Sequence, residues 1–360
     1  MDIVAFLYGI PIIGLVFQLI GYLIAIFPTI APIVMQAAIP IAFAALCGVM
    51  CERAGVVNIG IEGMMLTAAF VGWAAGVFLI PVLGNDPKLI FGASPTLIIA
   101  LGLAILSGVG VALIHAWLSI SVKADQIISG TIINIAAFGI TGYLNTLIAR
   151  SSPTGAGAFG RVDVPAALAD LPFVGWLFTT FLGLGPIGLS LMVIAILFQI
   201  LLFKSRWGLR TRAVGEHPRA AETVGIDVIR LRYRNVLMGG ALAALGGAYL
   251  SMELSQSFQQ GMTVGRGFIG LAAMIVGRWT PLGAVGAALL FASSVGIGQS
   301  IRIVPPAGEL AQLGALLGAL PRQFFDALPY LVTIVILAGV IGRSTPPAAD
   351  GIPYERESAT

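Results

Sequence analysis

Residues 31–80 read APIVMQAAIPIAFAALCGVMCERAGVVNIGIEGMMLTAAFVGWAAGVFLI. Two apolar runs, 31–50 and 55–80, flank the polar turn Cys51-Glu52-Arg53-Ala54. A membrane-crossing helix needs about 20 mostly apolar residues, and both runs meet that length. The second run opens on GVVNIG, whose glycines Gly55 and Gly60 bracket its start.

The same pattern fills the rest of the chain. Further apolar runs lie at 3–27, 96–120 and 127–149, in a stretch ending at Phe203, and at 235–254, 265–278, 282–301 and 324–341. A short apolar segment at 307–320 suits a re-entrant or interfacial helix. Hydrophobic residues make up 58% of the 360 and charged residues 10%, where a soluble domain has about 25% charged. Disorder, a secreted disulfide scaffold and a soluble fold are excluded. Continuous apolar runs also exclude an outer-membrane barrel, whose strands alternate. The expected fold is an all-α polytopic membrane protein of about ten transmembrane helices. The first run has no basic n-region and is expected to be a retained span.

Charge is concentrated at 204–234. Lys204, Arg206, Arg210, Arg212, Arg219, Arg230, Arg232 and Arg234 stand against Glu216, Glu222 and Asp227. That excess of five exceeds the chain's net charge of +3. A basic loop between apolar spans is cytoplasmic by the positive-inside rule. With ten spans, both termini would share that side. Nucleic acid is not an expected partner, since no aromatic platform accompanies the charge. The tail 343–360 is polar and expected to fray.

Within the basic loop, Pro218 suits a first helical position and Gly225 the position just past an end. Glu216 lies at the positive pole of that helix. A short helix over 218–224 is expected, with Asp227 capping the next. It is either a docking element or an orientation signal only.

The second half carries an echo of the first. GRGFIG, Gly265 to Gly270, follows the seventh run as GVVNIG follows the second. Five spans per half imply inverted repeats, about 1–150 and 176–342. Glycine-interrupted segments at matching places point to a solute path. GRGFIG formally fits a dinucleotide fingerprint, but no strand precedes it.

Polar residues inside the runs are few. Asn58 and Glu62 stand four apart on one helical face. A buried charge is costly in a bilayer, so Glu62 is either the polar wall of a path or a structural partner of Arg53 near the interface. Gln126 and Asn134 are further path candidates, and Asn145, Gln36 and Gln199 suit ordinary interhelical bonds. Gly72-x-x-x-Gly76 and Gly314-x-x-x-Gly318 fit close helix packing. Cys47 and Cys51 share a face with no histidine near, so no metal site is expected. No catalytic constellation surrounds His115 or His217. No lysine follows a glycine, so the chain has no P-loop.

Four motifs carry a family resemblance. CERAGVVNIGIEGMMLTAAF (51–70), QIISGTIIN (126–134), GEHPRAAETVGI (215–226) and IVGRWTPLGA (275–284) resemble, in order, permease subunits of ABC importers of the simple-sugar and nucleoside type, within the branched-chain amino acid and ribose permease superfamily. The first motif resembles the nucleoside branch. The resemblance implies a transmembrane domain over 1–342 with a coupling loop at 204–234. Glu216, Pro218, Arg219, Ala220, Ala221 and Gly225 would couple to an ATPase. Arg219 stands where the broader family pattern has glutamate. Gly55, Gly60, Gly265 and Gly270 would be helix-break glycines. The implied partners are a second, related but distinct permease, cytoplasmic ABC ATPase subunits, an extracytoplasmic substrate-binding lipoprotein and the lipid bilayer. The chain would be no enzyme and bind no cofactor, with ATP and Mg held on the ATPase. Its place would be the prokaryotic plasma membrane. An ion-coupled secondary transporter, or an importer of ribose or an amino acid, is the alternative.

Overall fold

The structure is a computed structural model that describes residues 11–86, 92–151, 156–172, 174–335 and 345–355. Its helices are α1 (Pro11–Glu52), α2 (Ile61–Leu83), α3 (Pro95–Ala116), α4 (Gln126–Ser151), α5 (Ala166–Ala169), α6 (Gly175–Leu182), α7 (Pro186–Lys204), α8 (Arg206–Glu216), α9 (Pro218–Thr223), α10 (Val228–Ala248), α11 (Arg266–Val276), α12 (Pro281–Ile303), α13 (Ala311–Gly318) and α14 (Arg322–Val335). Wider π-helical turns extend α3 over Trp117–Ser121 and α10 over Tyr249–Leu254. Among the described residues no strand occurs, so the polytopic all-α expectation holds.

Among the described residues, seven helices are long and apolar enough to cross a bilayer, against about ten expected over the whole chain. Residues 11–27 of the expected first span and the expected second span form one helix, α1, of 42 residues, while 3–10 lie outside the described residues. Pro28 does not break it, because a helix is the one local structure that satisfies most of the backbone in lipid, and proline is tolerated there. The expected eighth span is the 11-residue α11, about 16 Å at the usual helical rise and too short to cross. The expected tenth span is described only as far as Val335.

The chain divides into two compact units. The smaller draws on Met1–Ala37, Val164–Gly183 and Leu289–Val340. Its core gathers Tyr22, Ile26, Ile30, Ile301, Leu313 and Phe325. The Tyr22 hydroxyl donates to the Val304 carbonyl, and Phe27 meets Trp176 edge to face at 5.0 Å.

The larger unit draws on Ala38–Asp163, Leu184–Ala288 and Ile341–Thr360 and holds both glycine-flanked breaks and the basic loop. Small residues let its helices approach. A Cβ added to Gly108 would stand 2.6 Å from Ala244 Cβ, and one on Gly240 would stand 2.3 Å from Ala112 Cβ. In lipid such close packing substitutes for the hydrophobic effect. Of the expected packing glycines, Gly72 faces Met252 and Ala104, and Gly76 faces the Ala156 carbonyl. Ile128, Ile132, Ile135 and Ile140 on α4 are exposed and suit contact with lipid.

Candidate functional site

The first break is a short non-helical segment whose backbone is clamped from several directions. The α1 helix closes with the Val56 N–H on the Cys51 carbonyl and the Gly55 N–H on the Glu52 carbonyl. This double closure needs a left-handed residue, and Gly55 supplies it at φ +81°. The Val57 N–H then donates to Gln126 Oε1 at 2.7 Å. His115 Nε2 donates to the Val57 carbonyl at 3.0 Å and its Nδ1 lies 3.2 Å from Ser129 Oγ. A carbonyl only accepts, so Nε2 carries the proton and Nδ1 accepts from the serine. Asn134 Nδ2 donates to the Ile59 carbonyl at 2.9 Å, while its Oδ1 accepts the Gly63 N–H at 2.7 Å. Irregular backbone at membrane depth must find such partners within the protein.

Three of the four expected path residues therefore meet at this break. Gln126 and Asn134 bind its backbone directly. Asn58 is fully buried, with Nδ2 3.5 Å from Cys51 Sγ, 3.6 Å from Met64 Sδ and 3.8 Å from Cys47 Sγ. Sulfur is a weak acceptor. His115 and Ser129 were not legible as part of this clamp, since nothing in the local sequence pairs them with Val57.

Glu62 joins the first break to the second. Its Oε1 accepts the Gly265 N–H at 2.7 Å and its Oε2 accepts the Gly267 N–H at 2.6 Å. A carboxylate at a helix N-terminus satisfies orphan donors and favours the dipole. Glu62 thus caps α11 and makes no ion pair with Arg53. Arg53 instead donates to the carbonyls of Trp279 and Arg278, at 2.8 and 3.2 Å. Those two residues adopt left-handed φ of +51° and +54°. Glu52 secures the same corner by accepting Trp279 Nε1 at 2.6 Å.

The four expected break glycines separate into two kinds. Gly55 and Gly265 have φ of +81° and +75°. Gly60 has φ −72°, and Gly270 serves close packing, with its would-be Cβ 2.4 Å from Ala44 Cβ.

A second helix-capping carboxylate was missed by sequence reasoning. Glu253, in the π turn that ends α10, accepts N–H groups of Gly185 at 3.0 Å, Ile187 at 2.8 Å and Gly188 at 3.2 Å. It caps α7 as Glu62 caps α11. Its only sequence signal is a lone acid within SMEL at the end of an apolar run.

The basic loop forms the short helix α9, with Pro218 at its first turn and His217 at its N-cap. The Ile226 N–H meets the Ala221 carbonyl at 3.1 Å and the Gly225 N–H meets Glu222 at 2.8 Å, closing α9 with Gly225 at φ +81°. Asp227 caps α10 by accepting the Arg230 N–H at 2.9 Å. Glu216 ends the preceding helix, α8. Ala221 is turned inward, against Val214, Val228, Leu231 and Tyr354. Arg219 and Ala220 face outward.

The tail does not fray over residues 345–355. The Ala349 N–H donates to the Gly215 carbonyl at 2.8 Å and the Ala348 N–H to Glu216 Oε2 at 3.1 Å. The Tyr354 hydroxyl donates to Glu222. Arg232 Nη1 donates to the Ile352 carbonyl at 3.0 Å, and Lys123 pairs with Glu355 at 2.9 Å. Lys123 holds the Glu355 carboxyl below its ordinary range. Burial pushes the Asp350 carboxyl up to about 6, against a hydrogen bond with Glu52, one with the Gly351 backbone and the Arg232 charge.

Residues 30–337, which include both breaks and the basic loop, match the family described as branched-chain amino acid transport system, permease component. The chain belongs to that permease family. Within curated proteins this permease is 36% identical over 334 residues to the guanosine ABC transporter permease protein NupQ of Bacillus subtilis, covering 92% of this chain and 98% of the relative. It is 36% identical to the nucleoside ABC transporter permease protein NupC of Lactococcus lactis, over 88% of this chain and 93% of that one. It is 24% identical to the nucleoside ABC transporter permease protein NupB of the same organism, over 82% and 79%. No solved structure matches the permease. Its family membership makes it a transport component rather than an enzyme.

Proposed function

We propose that this chain is one permease subunit of an ATP-driven ABC importer of nucleosides in a prokaryotic plasma membrane. The observation that carries the reading is near-complete alignment, at 36% identity, with a permease named for guanosine. The sequence has no P-loop pattern, so ATP and its Mg would be held by separate ATPase subunits. The coupling helix α9 would meet them. Two of the relatives, NupC and NupB, come from the same organism, and the unequal identity to them supports a related but distinct partner chain here. A substrate-binding lipoprotein would deliver the solute.

The excess of five cations in the basic loop supports a cytoplasmic side for that loop and for the tail bonded to it. In this reading the solute passes beside the two breaks, which Glu62 ties together while Asn58, Gln126 and Asn134 hold the first. The polar atoms at the breaks are mostly committed to backbone. Selectivity would then lie mainly with the lipoprotein.

Uptake of radiolabelled guanosine by cells expressing the importer, with and without this chain, tests the proposal. Guanosine should accumulate only with the chain present, and excess unlabelled nucleoside should compete. Unchanged nucleoside uptake on its deletion, with loss of another solute's uptake, would refute the substrate class.

A further inference from the structure

The coupling helix has a neighbour that the basic loop alone does not supply. Residues 348–355 run beside α9, and together they enclose a groove of about 630 Å3. Arg219 and Ala220 line it from the helix, Ile352 and Tyr354 from the tail. The tail also changes the charge this end presents. Glu216 is bonded by the Ala348 N–H and Glu222 by the Tyr354 hydroxyl. Asp227 is occupied by Arg230. All three loop acids are thus engaged, and Lys204, Arg206, Arg210 and Arg234 are exposed in the same loop.

Exposed aliphatic side chains stand out at this polar end, Leu209 at 62% among them. Val224, at the C-cap of α9, is 75% exposed and Ile352 is 56% exposed. Neither lies in a membrane-spanning segment, so lipid does not explain their exposure. Ile352 lines the groove, and an exposed apolar side chain in a polar groove marks an interaction surface.

We propose that the tail segment and the coupling helix are two walls of one docking groove for the ATP-hydrolysing subunit. The occupant presents an apolar side chain, seated against Ile352 between the tail and α9. Continuity with the coupling helix favours that partner. The inference rests on the reading above that a separate ATPase docks at this loop.

Cysteine footprinting tests it in the whole importer. Both native cysteines are fully buried, so an introduced thiol reports alone. Ile352→Cys and Ala220→Cys variants are labelled with an impermeant maleimide in stripped inside-out vesicles, before and after the ATPase subunit is added back. Both sites are exposed, so the substitutions leave packing intact. Labelling at both should slow by roughly tenfold or more. Slowing at Ala220→Cys with unchanged labelling at Ile352→Cys would overturn the inference and leave the importer reading standing. Unchanged labelling at both would overturn the inference and the docking role of the loop together.

Discussion

The carboxylate of Glu62 holds the backbone N–H of Gly265, 203 residues away, at 2.7 Å. The start of α2 and the start of α11 are fixed to each other by one side chain. Bonds to a charged acceptor contribute about 1.5–3 kcal/mol when their loss strands the donors. Glu62→Ala leaves the Gly265 and Gly267 N–H groups without this acceptor. The variant should unfold at a midpoint several degrees lower in detergent, and uptake should fall with it. Glu62→Gln keeps one acceptor oxygen and should lie between. A midpoint equal to wild type in both variants would remove the cap from the account.

The break glycines should respond unequally to alanine. Gly270→Ala forces a Cβ to within 2.4 Å of Ala44 Cβ, an overpacking that costs about 1–3 kcal/mol. Gly265→Ala puts a side chain at φ +75°, at about 1–2 kcal/mol. Gly60→Ala meets its nearest neighbours at 3.3–3.4 Å with an ordinary φ of −72°. Thermal midpoints should therefore place Gly60→Ala closest to wild type. A larger loss at Gly60 than at Gly270 would contradict the packing described.

Tail docking should weaken as pH rises. The Asp350 carboxyl titrates near 6 when docked, against an ordinary 3.8. A raised value means the docked form binds its proton more tightly than the free form. The stabilisation is complete below about pH 4 and lost as pH passes about 6, amounting to roughly 1–3 kcal/mol. Glu52 and Arg232 are the ionisable groups that act on it. Hydrogen exchange over 345–355, corrected for intrinsic rates, should show more protection at pH 5 than at pH 7.5. Asp350→Asn should abolish the difference. Equal protection at both pH values would refute this.

The two alanines of the coupling helix should separate folding from docking. Ala221 packs inside the loop's own apolar cluster, so Ala221→Asp buries an unpaired charge and should lower the amount of protein in the membrane. Ala220 is exposed, so Ala220→Asp should insert normally yet lose most co-purifying ATPase. The reverse pattern would mean that α9 presents its other face.

What the sequence revealed depended on how local each determinant was. Pro218, Gly225 and Asp227 act within a few residues, and the short helix they predict is present as α9, ending one residue earlier than expected. Gly55 and Gly265, the first glycines of GVVNIG and GRGFIG, stand at the two breaks, whereas Gly60 and Gly270 do not act as breaks. The atoms that hold the breaks were not legible, because Glu62 and Gly265, or His115 and Val57, come together only through tertiary packing. Two apolar runs merged into α1 because Pro28 reads as a turn in water and is tolerated in a lipid-embedded helix. Glu253 escaped notice because its partners are backbone N–H groups of a helix that begins 67 residues earlier, at Pro186. The tail looked frayed because backbone groups, which carry no sequence signature, make much of its docking.

The most direct test of the central claim is energised guanosine uptake into proteoliposomes holding this permease, its partner permease, the ATPase and the binding protein. Guanosine should accumulate when ATP and Mg are supplied on the ATPase side, unaffected by collapsing proton and sodium gradients. Uptake that follows an imposed ion gradient and proceeds without ATP would contradict it.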